Sequence, residues 1–509
     1  MKTVTGLLLG TSAALFMATA AGAADLPVKA KPVEYVKVCN LYGAGFFYVP
    51  GTDTCLKVGA YLRSDHAYGA GNLSSYYFSN ANARFTRSDT NFYSYRARIN
   101  LTTDWRTQTD YGVLRAYAAI IAQQQSGDAG TTGTAGILRA FIQFAGFTVG
   151  HAVSYFDFFS PGDYSYMSTT PYSGSTATNG IDLISYTWQM GSGFSASIGI
   201  EDGGNTATPG SGPGRGKIVI NASAPGQLGA AAAANTLTNN ALSSWQPDVV
   251  GNIRVDQAWG SAQLMGALHN AAGGYYGGVG AFGPGTVTSN GHPGDAWGWA
   301  VGAGIKLANF LSPKDTIEAQ VNYGKGATGY ITTLTSYAGN AIFGSGNSVG
   351  LGYATDGVFV SGSGVELTEA WSVSAGYQHY WNSQWRTSVA GGYSEIRYND
   401  SAKGMLCGNN PNSAGAGTGL STVFGAFTPG AGFSCDPNFS VSTVSTRTAW
   451  NPHPTLEIGL DLIWSHLDTA FAGTAIMGSA NGARPAGPYN LENQDNFLAV
   501  MRVQKNVLP

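Results

Sequence analysis

The chain has 509 residues, with 26 Lys and Arg against 29 Asp and Glu, only 11% charged residues, 72 glycines and 12% aromatics. A soluble domain usually carries roughly 25% charge, so an ordinary water-soluble α/β enzyme is a poor match. The formal net charge of −3 argues against a nucleic-acid partner, the 43% apolar content against disorder, and the lack of a G-X-Y period against collagen.

Residues 1–23 read as a secretory signal peptide: Lys2, a short apolar stretch from Leu7 to Ala18, then the small residues Ala21-Gly22-Ala23. Export implies an oxidising compartment. The four cysteines fall into two local pairs, so disulfides Cys39–Cys55 and Cys407–Cys435 are expected. No C-x-x-C spacing points to zinc or to a thioredoxin-like site. Residues 24–54 form a short lead closed by the first disulfide, with a loose start at Pro27, Lys29, Lys31 and Pro32 and no heptad pattern.

From residue 55 onward the pattern has period two, which places alternate residues on opposite faces of a strand. Leu56, Val58, Ala60 and Leu62 oppose Lys57, Tyr61, Arg63 and Asp65. Tyr95, Ala97, Ile99 and Leu101 oppose Arg96, Arg98, Asn100 and Asp104. Leu114, Ala116 and Ile120 oppose Arg115 and Tyr117, and Leu138, Ala140 and Ile142 oppose Arg139 and Gln143. Later runs repeat this, as in Ile317, Ala319, Val321 and Tyr323 against Glu318, Gln320 and Asn322, and Leu456 to Trp464 against Glu457, Gly459, Asp461 and Ser465. No apolar run reaches the ~18 residues of a transmembrane helix, but a closed β-barrel also satisfies its backbone internally.

The connections alternate in length. Short turns fall near Thr107–Asp110, 145–146, 191–193, 259–260, 311–314, 382–383 and 451–454, and long polar segments near 66–92, 123–136, 157–182, 202–247, 270–296, 324–366, 399–440 and 467–490. The fold class expected is all-β: a transmembrane antiparallel β-barrel of about sixteen strands over residues 55–509, with short periplasmic turns and long outer loops. A barrel of that size encloses an aqueous lumen. Trp105, Trp259, Trp381, Trp385, Trp450 and Trp464 sit at strand ends, where interfacial girdles belong.

The segments Val33–Cys39, Tyr42–Thr52 and Thr54–Gly59 resemble the opening of the alphaproteobacterial porin family, and the run from Arg139 through Gly150 into Tyr155–Ser160 resembles that family's strand leading into the pore loop. The resemblance implies a general-diffusion porin of the Gram-negative outer membrane, a homotrimer in contact with lipid and lipopolysaccharide, passing small hydrophilic solutes and ions. It also implies that the third long loop, 157–182, folds into the lumen. A last strand is expected around Phe497–Val503, although the chain closes on Leu508-Pro509 where such strands usually close on an aromatic residue.

Charge patterning then suggests a constriction. Asp157, Asp163 and Asp182 on the loop would face Arg63, Arg96, Arg98, Arg115 and Arg139 on the wall. Such opposed charges set up a transverse field, which acts strongly in a narrow channel of low dielectric. The competing reading is that the arginines pair with Asp65 or Asp104 and brace the barrel.

Enzyme readings find little support. None of the seven histidines, His66, His151, His269, His292, His379, His453 and His466, forms H-E-x-x-H. Gly210–Lys217 lacks the first Gly and the final Ser/Thr of a phosphate loop and reads as a floppy outer segment. No cofactor, metal or catalytic set is expected. The alternative to a passive pore is a channel with a defined ligand, sugar or phosphate, or an adhesin built on the long loops. Tyr61, Tyr117 and Phe141 are the inward aromatics that a sugar path would use.

Overall fold

The structure, a computed structural model, describes residues 37–69, 93–128, 130–167, 174, 180–204, 215, 217–223, 239–242, 246–276, 291–333, 340–407, 427–477 and 487–508. Residues 1–23, expected as a signal peptide, and the proline-containing start of the expected lead lie outside the described residues.

Sixteen strands make one antiparallel sheet that closes on itself. In chain order they are β1 (Cys55–Gly69), β2 (Tyr93–Thr109), β3 (Gly112–Asp128), β4 (Gly130–Phe144), β5 (Phe147–Ala152), β6 (Ile181–Gly191), β7 (Phe194–Glu201) and β8 (Asp248–Gln257). The circuit continues with β9 (Gly260–Asn270), β10 (Trp297–Ala308), β11 (Thr316–Lys325), β12 (Glu369–Tyr380), β13 (Trp385–Arg397), β14 (Phe439–His453), β15 (Leu456–Asp468) and β16 (Gln494–Leu508). Each pairs with the next, and β16 returns to β1 with Arg63 opposite Gln504.

Closure leaves no sheet edge, and the alternation decides what each face meets. Ile198 and Leu264 are each 63% exposed on the outside. Glu318, Gln320 and Asn322 are buried on the inside. That is the reverse of a water-soluble protein and suits an outer surface solvated by lipid. Among the described residues no helix is long and apolar enough to cross a membrane.

One rim carries tight turns. Ser192 and Gly193 join β6 to β7 with φ of 50° and 77°, the left-handed pair that a two-residue hairpin turn requires. The other rim carries the long connections, with one correction. Segment 123–136, expected as a loop, is a continuation of β3 and β4: Gln123 faces Thr134 and Asp128 faces Gly130. Its polarity imitates a loop, but ladder hydrogen bonds need no apolar side chains once a hairpin rises above the lipid.

The long connections have structure of their own. Residues 340–345, 348–353, 427–429, 473–477 and 487–491 form a five-stranded sheet, and 219–221, 357–359 and 366–367 a three-stranded one. Ile218, Ile220, Leu351 and Val358 join Tyr330 and Phe439 in an apolar core at that end of the barrel. The reading of Gly210–Lys217 as floppy is corrected for its described members: Arg215 and Lys217 are buried in this layer. Both expected disulfides are present, Cys39–Cys55 and Cys407–Cys435. The first fastens the lead, whose Phe47–Tyr48 pairs with Cys55 and Leu56. The second ties the helix Asp400–Cys407 to the segment before β14.

Candidate functional site

The chain leaving β5 turns inside the barrel rather than over it. At its root, Ser154 Oγ and the Tyr155 amide donate to Glu201 at the end of β7, at 2.7 and 2.8 Å. Asn252 on β8 holds the Tyr155 carbonyl at 2.7 Å. Gln263 on β9 reaches the carbonyls of Tyr155 and Asp157. Midway, the Phe159 amide donates to Gln320 at 2.6 Å and the Ser160 amide to Glu318 at 3.2 Å, both on β11. A single 3-10 turn, Pro161–Asp163, then reverses the segment.

The tip is fastened hardest. The Tyr166 amide and Ser165 Oγ both donate to Asp461 Oδ2 on β15 at 2.6 Å, and Tyr166 Oη donates to Glu457 at 2.8 Å. Arg447 on β14 donates to the carbonyls of Gly162 and Asp163. Ser388 on β13 donates to the Tyr164 carbonyl at 2.6 Å. The Tyr166 ring lies between two guanidiniums, Arg502 at 4.2 Å and Arg447 at 5.2 Å, a favourable use of the ring's negative face. Burial, then the neighbouring Glu318 and Glu457 carboxylates, push the Tyr164 and Tyr166 hydroxyls well above their ordinary pKa, so both remain donors.

Wall glycines make room for the loop aromatics. A Cβ on Gly376 would lie 2.6 Å from the Tyr164 ring, and Gly304 and Gly459 stand in the same relation to Phe158 and Tyr166. All three glycines are on inward strand positions, and each seats one loop side chain. Tyr164 also stacks on Phe159 at 5.5 Å.

Hydrogen bonds tie the loop to strands β5 through β11 and β13 through β16. The predicted arginines stand on the inward faces of β1 to β4. Arg96 and Arg502 share the buried Asp65, at 2.7 and 2.6 Å. Arg106 and Arg115 share Asp104, at 2.8 and 3.0 Å. The bracing reading therefore describes Arg96 and Arg115. Arg63 and Arg98 donate to neutral amides, Gln504 at 2.9 Å and Gln123 at 2.8 Å. Arg139 turns onto the Leu138 carbonyl. Tyr117 and Phe141 stack at 5.3 Å, with Arg115 against both rings.

Two of the three predicted loop acids are not where the constriction reading needs them. Asp157 is buried and paired with Arg215 at 2.6 Å, so its charge is neutralised inside the loop root. Asp182 shares strand parity with the exposed Ile184 and Tyr186, which puts it on the outer face, 2.7 Å from His151. Asp163 does remain open, 3.5 Å from Lys306 on β10.

The partners that hold the loop, Glu318, Gln320, Asp461, Arg447 and Arg502, all lie on inward parity. That parity was readable from the alternation; their meeting with the loop was not. Among the described residues no group of His, Cys, Asp and Glu is arranged to hold a metal ion.

A second buried network fixes the outer loops. Asp248 accepts from Tyr330 Oη at 2.7 Å and lies 2.7 Å from His269 Nδ1. Asp356 accepts from the amides of Ile218 and Thr328. Lys217 donates to Asn270 at 2.6 Å. Burial pulls the Lys217 ammonium down to about 8, against the upward pull of Asp356 and Asp248.

A family model described as the porin subfamily matches residues 25–499. Porin Omp2b of Brucella canis is 32% identical over 268 residues, and Porin Omp2b of Brucella abortus (strain 2308) is 31% identical over the same length. Those alignments cover 51% of this chain and 64% of the relatives' own length. Among solved structures, the outer membrane channel DcaP of Acinetobacter baumannii is similar in fold, with a TM-score of 0.52 at 13% identity over 90% of this chain and 99% of that one.

Proposed function

Because this chain belongs to the porin subfamily, we propose that it forms a water-filled channel in the outer membrane for passive diffusion of small hydrophilic solutes and ions. The observation that carries the reading is the inversion of the closed sheet: exposed apolar side chains outside, and arginines, glutamines and carboxylates inside. Lipid can solvate the first face and only water or paired charge the second.

The inward loop narrows this channel on our reading, and solutes pass between it and the wall formed by β1 to β4. The wall contributes Arg63, Arg98, Arg115 and Arg139, and the loop contributes Asp163. The resulting field is more basic than the sequence suggested, because Asp157 and Asp182 drop out of it. We assign residues 55–509 to one pore domain, assembled as three copies within lipid and lipopolysaccharide.

The test is reconstitution of detergent-purified protein into planar bilayers. Uniform stepwise conductance that is ohmic in KCl is expected. A folded, heat-modifiable protein that gives no steps would overturn the proposal.

A further inference from the structure

We infer that Arg63 and Arg98 together form a binding site for a small oxyanion, phosphate-like or carboxylate, on the lumen wall. The inference rests on the channel reading and names a ligand class for it.

Strand register carries the argument. Arg63 on β1 is directly opposite Arg98 on β2, and on its other side Arg63 is opposite Gln504 on β16. Directly opposed residues bring their Cβ atoms within roughly 5 Å, and like charges placed so repel. The same wall relieves such crowding twice. Two residues along, Asp65 is clamped between Arg96 and Arg502. Nearer the short turns, Asp104 is clamped between Arg106 and Arg115. Each clip is arginine, carboxylate, arginine.

Arg63 and Arg98 repeat the two arginines of the clip and lack its carboxylate. Among the described residues neither has a carboxylate in ion-pair contact. Gln504 takes Arg63 Nε at 2.9 Å, and Gln123 takes Nε and Nη2 of Arg98 at 2.8 and 2.5 Å. An amide oxygen orients a guanidinium without neutralising it. The Arg63 guanidinium lies over the Tyr61 ring, 4.6 Å from its centre, and is supported there from a second side. Arg63 keeps most of its five N–H donors; Arg98, hydrogen-bonded also to Tyr61, keeps about two, and guanidinium donors in a plane suit two acceptor oxygens of one anion. Both side chains are half-buried rather than sealed, so a solute can reach them. An anion here does for Arg63 and Arg98 what Asp65 does for Arg96 and Arg502, and then leaves, as conduction requires.

The experiment titrates inorganic phosphate into single-channel recordings at fixed KCl, with calorimetry of phosphate binding to the detergent-solubilised protein in parallel. A saturable fall in chloride current and a matching calorimetric isotherm are expected. Arg63→Gln and Arg98→Gln each weaken the half-saturation concentration roughly tenfold or more. Gln504→Glu, which supplies the missing carboxylate from the wall itself, abolishes the phosphate effect while stepwise conductance persists. Arg397→Gln, on the outer face, changes neither. Arg98→Lys, used if the Gln variant does not fold, keeps the charge and loses the fork, and weakens phosphate by several-fold. Channels that conduct but show no saturation, or saturation that Gln504→Glu leaves intact, overturn the site and leave the pore standing. Phosphate binding by calorimetry without any conductance steps overturns the pore and leaves the site standing.

Discussion

Asp461 tests how the loop is held. Its Oδ2 accepts two hydrogen bonds at 2.6 Å, from the Tyr166 amide and from Ser165 Oγ, and the side chain is buried. Hydrogen bonds to a charged group contribute about 1.5–3 kcal/mol each, so the pair sets an upper bound of about 3–6 kcal/mol. Asp461→Ala loses less than that. The opened tip finds water, and the bonds from Gln320, Glu318, Ser388 and Arg447 to the rest of the loop remain. We take about 2 kcal/mol as the net loss, which corresponds to roughly 30-fold faster hydrogen exchange at the Tyr166 amide. The barrel strands should keep their protection, because each is paired on both sides. The assay is residue-resolved hydrogen exchange of the refolded protein in detergent, alongside single-channel recording, where larger current noise is expected. Wild-type protection at Tyr166 in the Ala variant would refute the tether, and so would equal loosening of every strand.

Three further outcomes follow from other parts of the molecule. Gly376→Val puts carbon where the Tyr164 ring sits, 2.6 Å from its nearest atoms; the ring should leave Glu318 and unit conductance should rise, and unchanged conductance would show that the glycine seat is not needed. Leu264→Arg, near the middle of β9 and facing out, should cost about 2–4 kcal/mol in urea unfolding from phospholipid vesicles; a change under about 0.5 kcal/mol would argue against lipid at that face. Lys217 has its pKa lowered from 10.5 to about 8, so the folded chain releases this proton first. Its penalty is fully present below pH 8 and fades as the pH rises towards 10.5. Thermal stability of the wild type relative to Lys217→Met should therefore improve across that window, and parallel curves would contradict the burial argument.

The arginine clips show where reading from sequence stops. Parity alone placed Arg63, Arg96, Arg98, Arg115 and Arg139 on the inward face, and it named Asp65 and Asp104 as their possible partners. It could not say that Arg502, more than four hundred residues from Asp65, completes one clip, because that contact exists only where the last strand meets the first. Asp182 failed for a local reason: the constriction reading took it by loop membership, although its parity with Ile184 already put it outside. Asp157 failed for a distant one, since its partner Arg215 arrives from a segment that reads as polar filler.

By itself, the sequence determined the barrel strands apart from the 123–136 extension, their two faces and both disulfides. Those properties are set by period-two chemistry and by turn residues acting over a few positions. Only the tertiary structure decided which inward charges are neutralised and which stay open, that the outer connections bury an apolar layer, and that glycines on β10, β12 and β15 seat the aromatics of the loop. These depend on the stagger between strands far apart in the chain. A two-residue difference in stagger would have kept the same two faces and given a different set of neighbours.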